Sequence, residues 1–349
     1  MKKYDIIVDL QFGSTGKGAI AGYLAGKTNY DVVVSANMPN AGHTFIDAVG
    51  NKFVQKVLPS ALASGTPVAL IAPAAVFSIE QLIIELDALE DAGYTGKRVF
   101  IHEHAVLLTP DHKLEETIVR PGSTDTNSYQ SIGSTQQGSA AALMHKIRRD
   151  INHNPTVEAK YGLGPINRED SRVSIVSHAH YLALLADAEN VLIEGSQGYS
   201  LGLNAGFYPY CTSRDCTASR LLADCLVPMH EVRRIIGVAR TYPIRVGGTS
   251  GPGYPDQREL SWEQMGQPEE RTTVTNRVRR VFEFSGMQIA EAIQQSGPNE
   301  IFLNFCNYQT EQENGLLVRI IDDICMGTNG FGRVKYLGHG ATTNDIKEV

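Results

Sequence analysis

The sequence has little cysteine, a single tryptophan, no long apolar run and no excess of basic residues. Its five cysteines (Cys211, Cys216, Cys225, Cys306, Cys325) are odd in number and form no CxxC pair. That excludes a disulfide framework and a cysteine-based zinc site, and it fits free thiols in a reducing cytoplasm. The longest nearly pure apolar stretch, Val68 to Phe77, is broken by Pro73. It falls well short of the roughly 18 residues that a membrane span needs, so no membrane partner is expected. Lys and Arg number 31 against 38 Asp and Glu, a net charge of −7. An acidic balance argues against a mainly nucleic-acid-binding protein. The opening MKKYDIIVDLQF is interrupted by Asp5 and Asp9 and lacks a small-residue cleavage pattern. It reads as a strand rather than a signal peptide.

What is present is an ordinary globular balance, 42% hydrophobic and 20% charged over 349 residues. No repeat, low-complexity tract or linker divides it, so residues 1–349 are expected to form one domain. Short β-branched runs mark strands at Asp5–Leu10, Asp31–Ala36, Val68–Ala72, Arg98–His102, Asn190–Glu194, Ile235–Arg240, Glu300–Asn304 and Leu316–Ile321. They are apolar on both faces, as in a covered parallel sheet. The clearest helix is Ile79–Ala92, with an apolar stripe, a capping box of Ser78 and Gln81, and Gly93 at its end. Further helices are expected at Lys17–Ala25, Ser139–Arg149, His178–Ala186, Ser219–Leu226 and Ser285–Gln295. The pattern is that of a doubly wound, mostly parallel α/β protein, in which ligands bind at the carboxyl ends of the strands.

Four loops carry the chemistry. After the first strand, Phe12-Gly13-Ser14-Thr15-Gly16-Lys17-Gly18 leads into a helix. Three glycines let backbone amides converge on an anion, and Lys17 adds a full charge. The spacing is not GxxxxGK[ST], and a plain strand-to-helix turn is the alternative; the position favours phosphate. After the second strand comes Asn37-Met38-Pro39-Asn40-Ala41-Gly42-His43-Thr44. His43 there can meet developing oxyanion charge, or it can be a turn histidine satisfied by backbone. A third set joins Glu194-Gly195-Ser196-Gln197-Gly198 to Tyr208-Pro209-Tyr210-Cys211-Thr212-Ser213. Gln197 offers both a donor and an acceptor, suited to a purine edge. The fourth, Thr272 to Arg280, concentrates arginines that could clamp a carboxylate or phosphate. It reads either as a ligand site or as a solvated helix start, and clustered cations disfavour the latter.

Together these segments resemble the adenylosuccinate synthetase family. QFGSTGKG resembles its QWGDEGKG loop, NAGHT (Asn40 to Thr44) is identical to its motif, and IGSTQQG (Ile132 to Gly138) resembles IGTTGRG. EGSQG, YPYCTS and TNRVRR (Thr275 to Arg280) resemble EGAQG, YPYVTS and TGRRRR. The resemblance implies the P-loop-NTPase-like fold of that family and a two-step ligase: phosphorylation of a purine O6, then attack of L-aspartate at C6. It assigns Gly13, Thr15, Gly16, Lys17, Gly18, Gly42, His43 and Thr44 to the donor nucleotide's phosphates, and places Ser14, Lys17 and His43 at the catalytic positions. Asn40, Ser134, Thr135, Arg149, Gln197, Thr212, Val246 and Arg277 would hold the substrate nucleotide, and Thr275, Arg277 and Arg279 the L-aspartate. Ser14 and Gly42 would face Mg2+. Arg149 would reach the neighbouring subunit's nucleotide, which implies a homodimer.

Two departures bear on the substrate. Ser14 stands where the family has the aspartate that removes the purine N1 proton. A serine hydroxyl is a poor base, and loss of a positioned base costs about 10²–10⁴ in rate. Ser14 does leave room beside C2 and can accept a hydrogen bond from an amino group there, so a guanine nucleotide is the expected acceptor, the deoxy sugar of dGMP being implied only by the branch resemblance below. In Leu303-Asn304-Phe305-Cys306-Asn307, Phe305 and Asn307 stand for the Lys and Asp that read a guanine donor. An amide suits adenine instead, so ATP or dATP is the expected donor. Both departures resemble the bacteriophage branch of the family, which makes 2-aminoadenylosuccinate on the way to 2-aminoadenine DNA. The alternatives are the ordinary IMP- and GTP-dependent synthetase and an inactive purine-nucleotide-binding protein. Gly338 and Gly340 resemble the loop that covers the donor base. His102, His104 and His112 lack the partners for tetrahedral metal ligation and read as structural, Trp262 and Phe282 as packing, and Arg233 and Arg234 as a solvated patch.

Overall fold

A computed structural model describes residues 3–118, 132–167, 170–272, 276–328 and 332–349. One sheet of eleven strands runs through it. In chain order these are β1 (Tyr4–Asp9), β2 (Val32–Ser35), β3 (Val68–Ile71), β4 (Arg98–His102), β5 (Gly164–Asn167), β6 (Asp170–Val176), β7 (Val191–Glu194), β8 (Val232–Arg240), β9 (Glu300–Asn304), β10 (Arg333–Gly338) and β11 (Ile346–Glu348). Their spatial order is β11-β10-β9-β8-β1-β7-β2-β3-β4-β6-β5. Pairing is parallel except at the two edges, where β5 and β11 run antiparallel. The chain leaves β1 toward one edge, returns to insert β7 beside β1, and then builds the other half. The carboxyl ends of β1, β7 and β8 therefore meet at the reversal, where such folds bind ligands.

Both faces of the sheet are covered. Ile6 and Val8 of β1 enter one core, with Leu221, Ile289 and Ile321 from the helices on that side. Ile7 enters the other, with Ile20 and Leu24 of α1 (Lys17–Lys27). This two-sided burial is why the strand runs lack polar alternation. No helix among the described residues is long and apolar enough to cross a membrane.

Most expected elements are found within a few residues, and two readings are overturned. Leu316–Ile321 is not a strand but lies inside the helix Glu311–Gly327. Its buried positions Leu317, Ile321 and Cys325 recur every four residues, and Thr310 with Glu313 forms a capping box at its start. Among the described residues of the Thr272–Arg280 segment no helix begins, so the disfavoured alternative of a solvated helix start drops out. Arg271 bridges Val278 in antiparallel fashion, and the strand Arg280–Phe282 follows in a small sheet with Ile244–Arg245 and Glu259–Leu260. Trp262 packs there against Ile244 and Val281.

Arg233 and Arg234 also differ from expectation: they are a lock at the amino end of the sheet. Asp5 of β1, fully buried, receives Arg233 Nε at 2.7 Å and Nη2 at 2.8 Å, and Arg234 Nη2 lies at 2.9 Å. Tyr30 donates its hydroxyl to the same carboxylate. Burial alone would raise the Asp5 pKa, but the Arg233 hydrogen bonds and the Arg234 charge hold it below its ordinary value. Asp5→Asn should therefore cost about 3–5 kcal/mol at neutral pH, read by urea unfolding. Because the folded carboxylate titrates lower than the unfolded one, this stabilisation is present above about pH 4 and lost as pH falls through the folded value. The gap between wild type and variant should close below that point; a gap that stays constant would refute the assignment.

Candidate functional site

The first loop is organised by a buried carboxylate. Asp9, at the end of β1, accepts from the backbone N–H of Gln11 at 2.9 Å and of Gly13 at 3.2 Å. It also accepts from the Thr15 hydroxyl and from Lys17 Nζ, the latter at 2.9 Å. Lys17 donates its other bond to the Gln197 carbonyl at 2.8 Å and is itself buried. The chain is tight here. A Cβ on Gly198 would fall 2.2 Å from the Gly13 nitrogen, and one on Gly16 would fall 2.1 Å from Asn304 Nδ2. Gly13, Ser14 and Gly16 adopt φ of +87°, +55° and +103°. Glycine does this freely, whereas Ser14 is held against a preference of about 1–2 kcal/mol. It sits exposed at the crest, its carbonyl accepting from Arg240 at 3.2 Å. Helix α1 begins at Lys17 with no side-chain cap and no acidic residue in its first turn. Its amino end is thus suited to an anion. Gly18 lies in that first turn, against Ser60 and the Thr44 carbonyl.

The second loop follows β2 and puts His43 at the start of a hairpin strand, His43–Ile46. His43 Nδ1 lies 2.6 Å from Glu194 Oε1, at the end of β7. Both are buried, and Ser60 donates its N–H at 2.7 Å and its hydroxyl at 2.9 Å to the same carboxylate. With Nδ1 directed at Glu194, Nε2 is the nitrogen left for a ligand. Asn40 donates to Thr212 Oγ1 at 3.1 Å, so two expected nucleotide contacts from distant segments meet. The second polar side-chain atom of Asn40, Oδ1, is buried without a hydrogen-bond partner among the described residues. Gly42 is half-buried and Thr44 exposed beside His43. Gln197 closes this wall with φ +62°.

Ser134 and Thr135 are half-buried on a loop that Glu116 anchors. That buried carboxylate accepts from Gly138 N and Ala140 N at 2.8 Å each, at the start of the helix Ser139–Arg148. Gly133 of the same loop packs on Ser250, next to the segment that carries half-buried Val246. Arg149 is the exposed C-cap of that helix.

The cationic side lies beyond Ser14. Arg245 is buried between the rings of Phe12 and Phe207. Burial, reinforced by the charge of Arg280, pulls it down to about 10. Arg279 is also pulled to about 10, by burial against the opposing charge of Glu270, with Arg240 adding to the fall. Guanidinium groups so poorly compensated favour an arriving anion. Arg277 is exposed next to them, and Thr275 lies outside the described residues. On the donor side, Gly338 at the end of β10 presses on Asn304, whose Nδ2 donates to the Thr15 carbonyl at 3.0 Å. Gly340 packs against Asp345, and Asn307 is exposed on a single 3-10 turn after β9.

Sequence reasoning missed Asp9, which read only as a break in an apolar run, and left Glu194, Arg240, Asn304 and Glu116 without roles. The signal available for Glu194 was its place at a strand end opposite His43. His102 Nδ1 accepts the His104 backbone N–H at 3.0 Å, and His112 caps its own helix with Thr109, contacts that fit a structural reading of these two rings. Among the described residues no group of three or more His, Cys, Asp or Glu could hold a metal. A metal here would have to rest on neutral oxygens and on its own ligand's phosphates.

Comparison with known proteins places this geometry. The adenylosuccinate synthetase profile matches residues 6–157 and 167–314. N6-succino-2-amino-2'-deoxyadenylate synthase of Vibrio phage phiVC8 is 45% identical, covering 99% of this chain and 98% of that one. Adenylosuccinate synthetase of Methanocaldococcus jannaschii is 30% identical, over 85% and 81% of the two chains. Among solved structures, the Cyanophage S-2L succinoaminodeoxyadenylate synthetase, bound to dGMP and to dATP as an energy donor, superposes with a TM-score of 0.85. It is 35% identical, covering 100% of this chain and 95% of that one.

The His43–Glu194 pair has a direct test. Nitrogen NMR of the imidazole should report the Nδ1–H tautomer in the wild type. Glu194→Gln, whose amide can donate as well as accept, should abolish that preference. An unchanged tautomer in the variant would show that Glu194 does not orient the ring.

Proposed function

The chain belongs to the adenylosuccinate synthetase family, and within it we propose an ATP- or dATP-dependent ligase that joins L-aspartate to C6 of dGMP. The observation that carries the reading is Ser14: a small neutral side chain, exposed at the crest of the phosphate loop, where the family places an aspartate. Guanine's C2 amino group needs room and an acceptor at that point, and Ser14 offers both. The relatives named for the 2-amino product, and the phage structure holding dGMP and dATP, support the same substrates.

In the first step the γ-phosphoryl group passes to O6 of the purine, forming the O6–P bond as the donor's bridging P–O bond breaks. The N1 proton passes in that step to an acceptor other than Ser14: water, the substrate's own phosphate or L-aspartate. In the second step the L-aspartate amine forms the N–C6 bond, and phosphate leaves with the C6–O6 electron pair. Both steps gather negative charge, and positioning with charge neutralisation does most of the work. Lys17 and the amides from Gly13 to Gly18 would receive the transferred phosphoryl group. His43, its Nδ1–H held by Glu194, would act on the O6 and phosphoryl oxygens from Nε2, donating there as the imidazolium. Asn40, Thr212, Gln197, Ser134 and Thr135 would hold the nucleotide, with Val246 beside the sugar. Arg277 and Arg279, with Thr275, would clamp L-aspartate. Asn307, Gly338 and Gly340 would border the adenine. The donor set fits Mg2+ arriving on the phosphates, with the Ser14 hydroxyl and Gly42 carbonyl as its protein oxygens, where it would neutralise phosphate charge. We place the enzyme in the host cytoplasm, where its five thiols stay free.

We further propose a homodimer. Met144, Ile147 and Ile151 are 44%, 71% and 90% exposed around Arg149. An apolar face of this kind is matched by a second copy of itself across a two-fold axis. Ile151→Asp should sediment as a monomer, whereas Arg149→Ala should remain dimeric and raise the KM for dGMP about tenfold. A monomeric wild type would remove the dimer from the account.

Phosphate release and product mass across dGMP, GMP and IMP, each with ATP, dATP or GTP, test the activity. Turnover should require dGMP and L-aspartate together with an adenine donor. Turnover with IMP and GTP alone would make this an ordinary synthetase, and binding without turnover an inactive nucleotide-binding protein. Ser14→Asp should lower kcat/KM for dGMP by about 10- to 100-fold, the cost of a displaced or unpaired polar group.

A further inference from the structure

Among the described residues the largest fully buried side chain is a cation, Arg240, at the end of β8. Its guanidinium carbon lies over the Phe305 ring, 3.7 Å from the ring centre. One nitrogen donates to the Ser14 carbonyl at 3.2 Å and to Glu270 Oε2 at 3.2 Å, and the other donates to Glu270 Oε1. The Arg240 backbone is clamped by the Gln11 amide, N–H to Oε1 at 2.9 Å and Nε2 to carbonyl at 3.1 Å. Glu270 is held by the Tyr308 hydroxyl at 3.1 Å, and its carbonyl accepts the Arg279 N–H at 2.8 Å. One planar group thus touches the residue that faces the purine's two-position, the segment leading into Arg277 and Arg279, and the strand end on the donor side.

We propose that Arg240 is a positioning residue that couples recognition of the purine C2 substituent to the L-aspartate site. The proposal rests on the ligase reading above. Its physical basis is the shape of the guanidinium. Ser14 is held in a left-handed conformation that serine disfavours, and the bond to its carbonyl helps fix the direction of its hydroxyl. The same fork fixes Glu270, and with it the backbone that aims Arg279. A lysine keeps the charge but cannot stack flat or serve both partners in one plane. Displacing either partner should therefore be felt by the other.

The test compares wild type, Arg240→Lys, Glu270→Gln and the double variant. Arg240→Lys should raise the KM for L-aspartate about tenfold and cut the dGMP to dIMP ratio of kcat/KM about tenfold, within the usual range of coupling between sites. Glu270→Gln should raise the KM for L-aspartate to a similar extent and, because the same Arg240 nitrogen serves Glu270 and Ser14, shift the dGMP to dIMP ratio in the same direction by a smaller factor. On L-aspartate the double variant should be no worse than Arg240→Lys alone. Should Arg240→Lys fail to fold, Phe305→Leu removes the stacking face, keeps the cation, and should move the same two quantities. Wild-type values of both in a folded Arg240→Lys or Phe305→Leu protein would overturn the proposal, as would a loss in kcat alone. Calorimetry separates this failure from failure of the ligase reading. Bound dGMP should tighten L-aspartate in the wild type and not in Arg240→Lys, a difference that needs no turnover.

Discussion

The carboxylate of Asp9 lies beneath the phosphate loop and receives four of its donors: two backbone amides, the Thr15 hydroxyl and the Lys17 ammonium. A buried charge of this kind persists only where it is paired and fully hydrogen-bonded, and here the loop itself supplies every partner. The loop's curvature follows. Residues 11 to 17 must fold around one point, which forces the positive φ angles at Gly13, Ser14 and Gly16. It also fixes where Lys17 can be. The ammonium is tethered between Asp9 and the Gln197 carbonyl, so an incoming phosphate meets a cation already placed and desolvated. Preorganisation of that kind lets a charge act at the moment of reaction without reorganising its surroundings.

The same constraint explains how an exposed serine can occupy the crest. The loop's negative charge lies underneath, where it organises donors, and the upper surface is left to amides, a hydroxyl and the helix terminus. Arg245 and Arg279, each pulled to about 10 by burial, add cationic walls on the far side. The carboxylates of the site are engaged from beneath or behind, so its open side presents donors and cations, a surface suited to phosphates and carboxylates.

How much of this could be read from the sequence depends on how far apart the partners lie. Strands β1, β2, β3, β4, β7, β8 and β9 were legible because their apolar runs are short and bounded by turn residues. The loops were legible because glycine spacing, NAGHT and EGSQG are local patterns. Leu316–Ile321 was misread because the run LLVRII is apolar enough for a strand; only the wider spacing of Leu317, Ile321 and Cys325 reveals a helix. Arg233 and Arg234 looked solvated because their partner, Asp5, is more than two hundred residues away in sequence. Glu194 with His43, Asn304 with Thr15 and Arg240 with Ser14 are likewise pairs that only the sheet topology brings together. A single sequence carries the residue types in such pairs but not the pairing.

The topology also shows why those pairs fall where they do. β1 sits in the middle of the sheet with β7 on one side and β8 on the other, so three loops from separate parts of the chain must leave the same edge side by side. The loop after β1 receives Gln197 from the β7 side and Arg240 from the β8 side, and Asn304 reaches it from β9, one strand further out. Each neighbour contacts a different atom of the loop: Gln197 the Lys17 ammonium, Arg240 the Ser14 carbonyl, Asn304 the Thr15 carbonyl. A change in one strand end is thereby felt at one defined position of the loop rather than spread over it. On the reading proposed above, such an arrangement allows the acceptor base to be changed at Ser14 while the loop atoms below stay where Asp9 puts them.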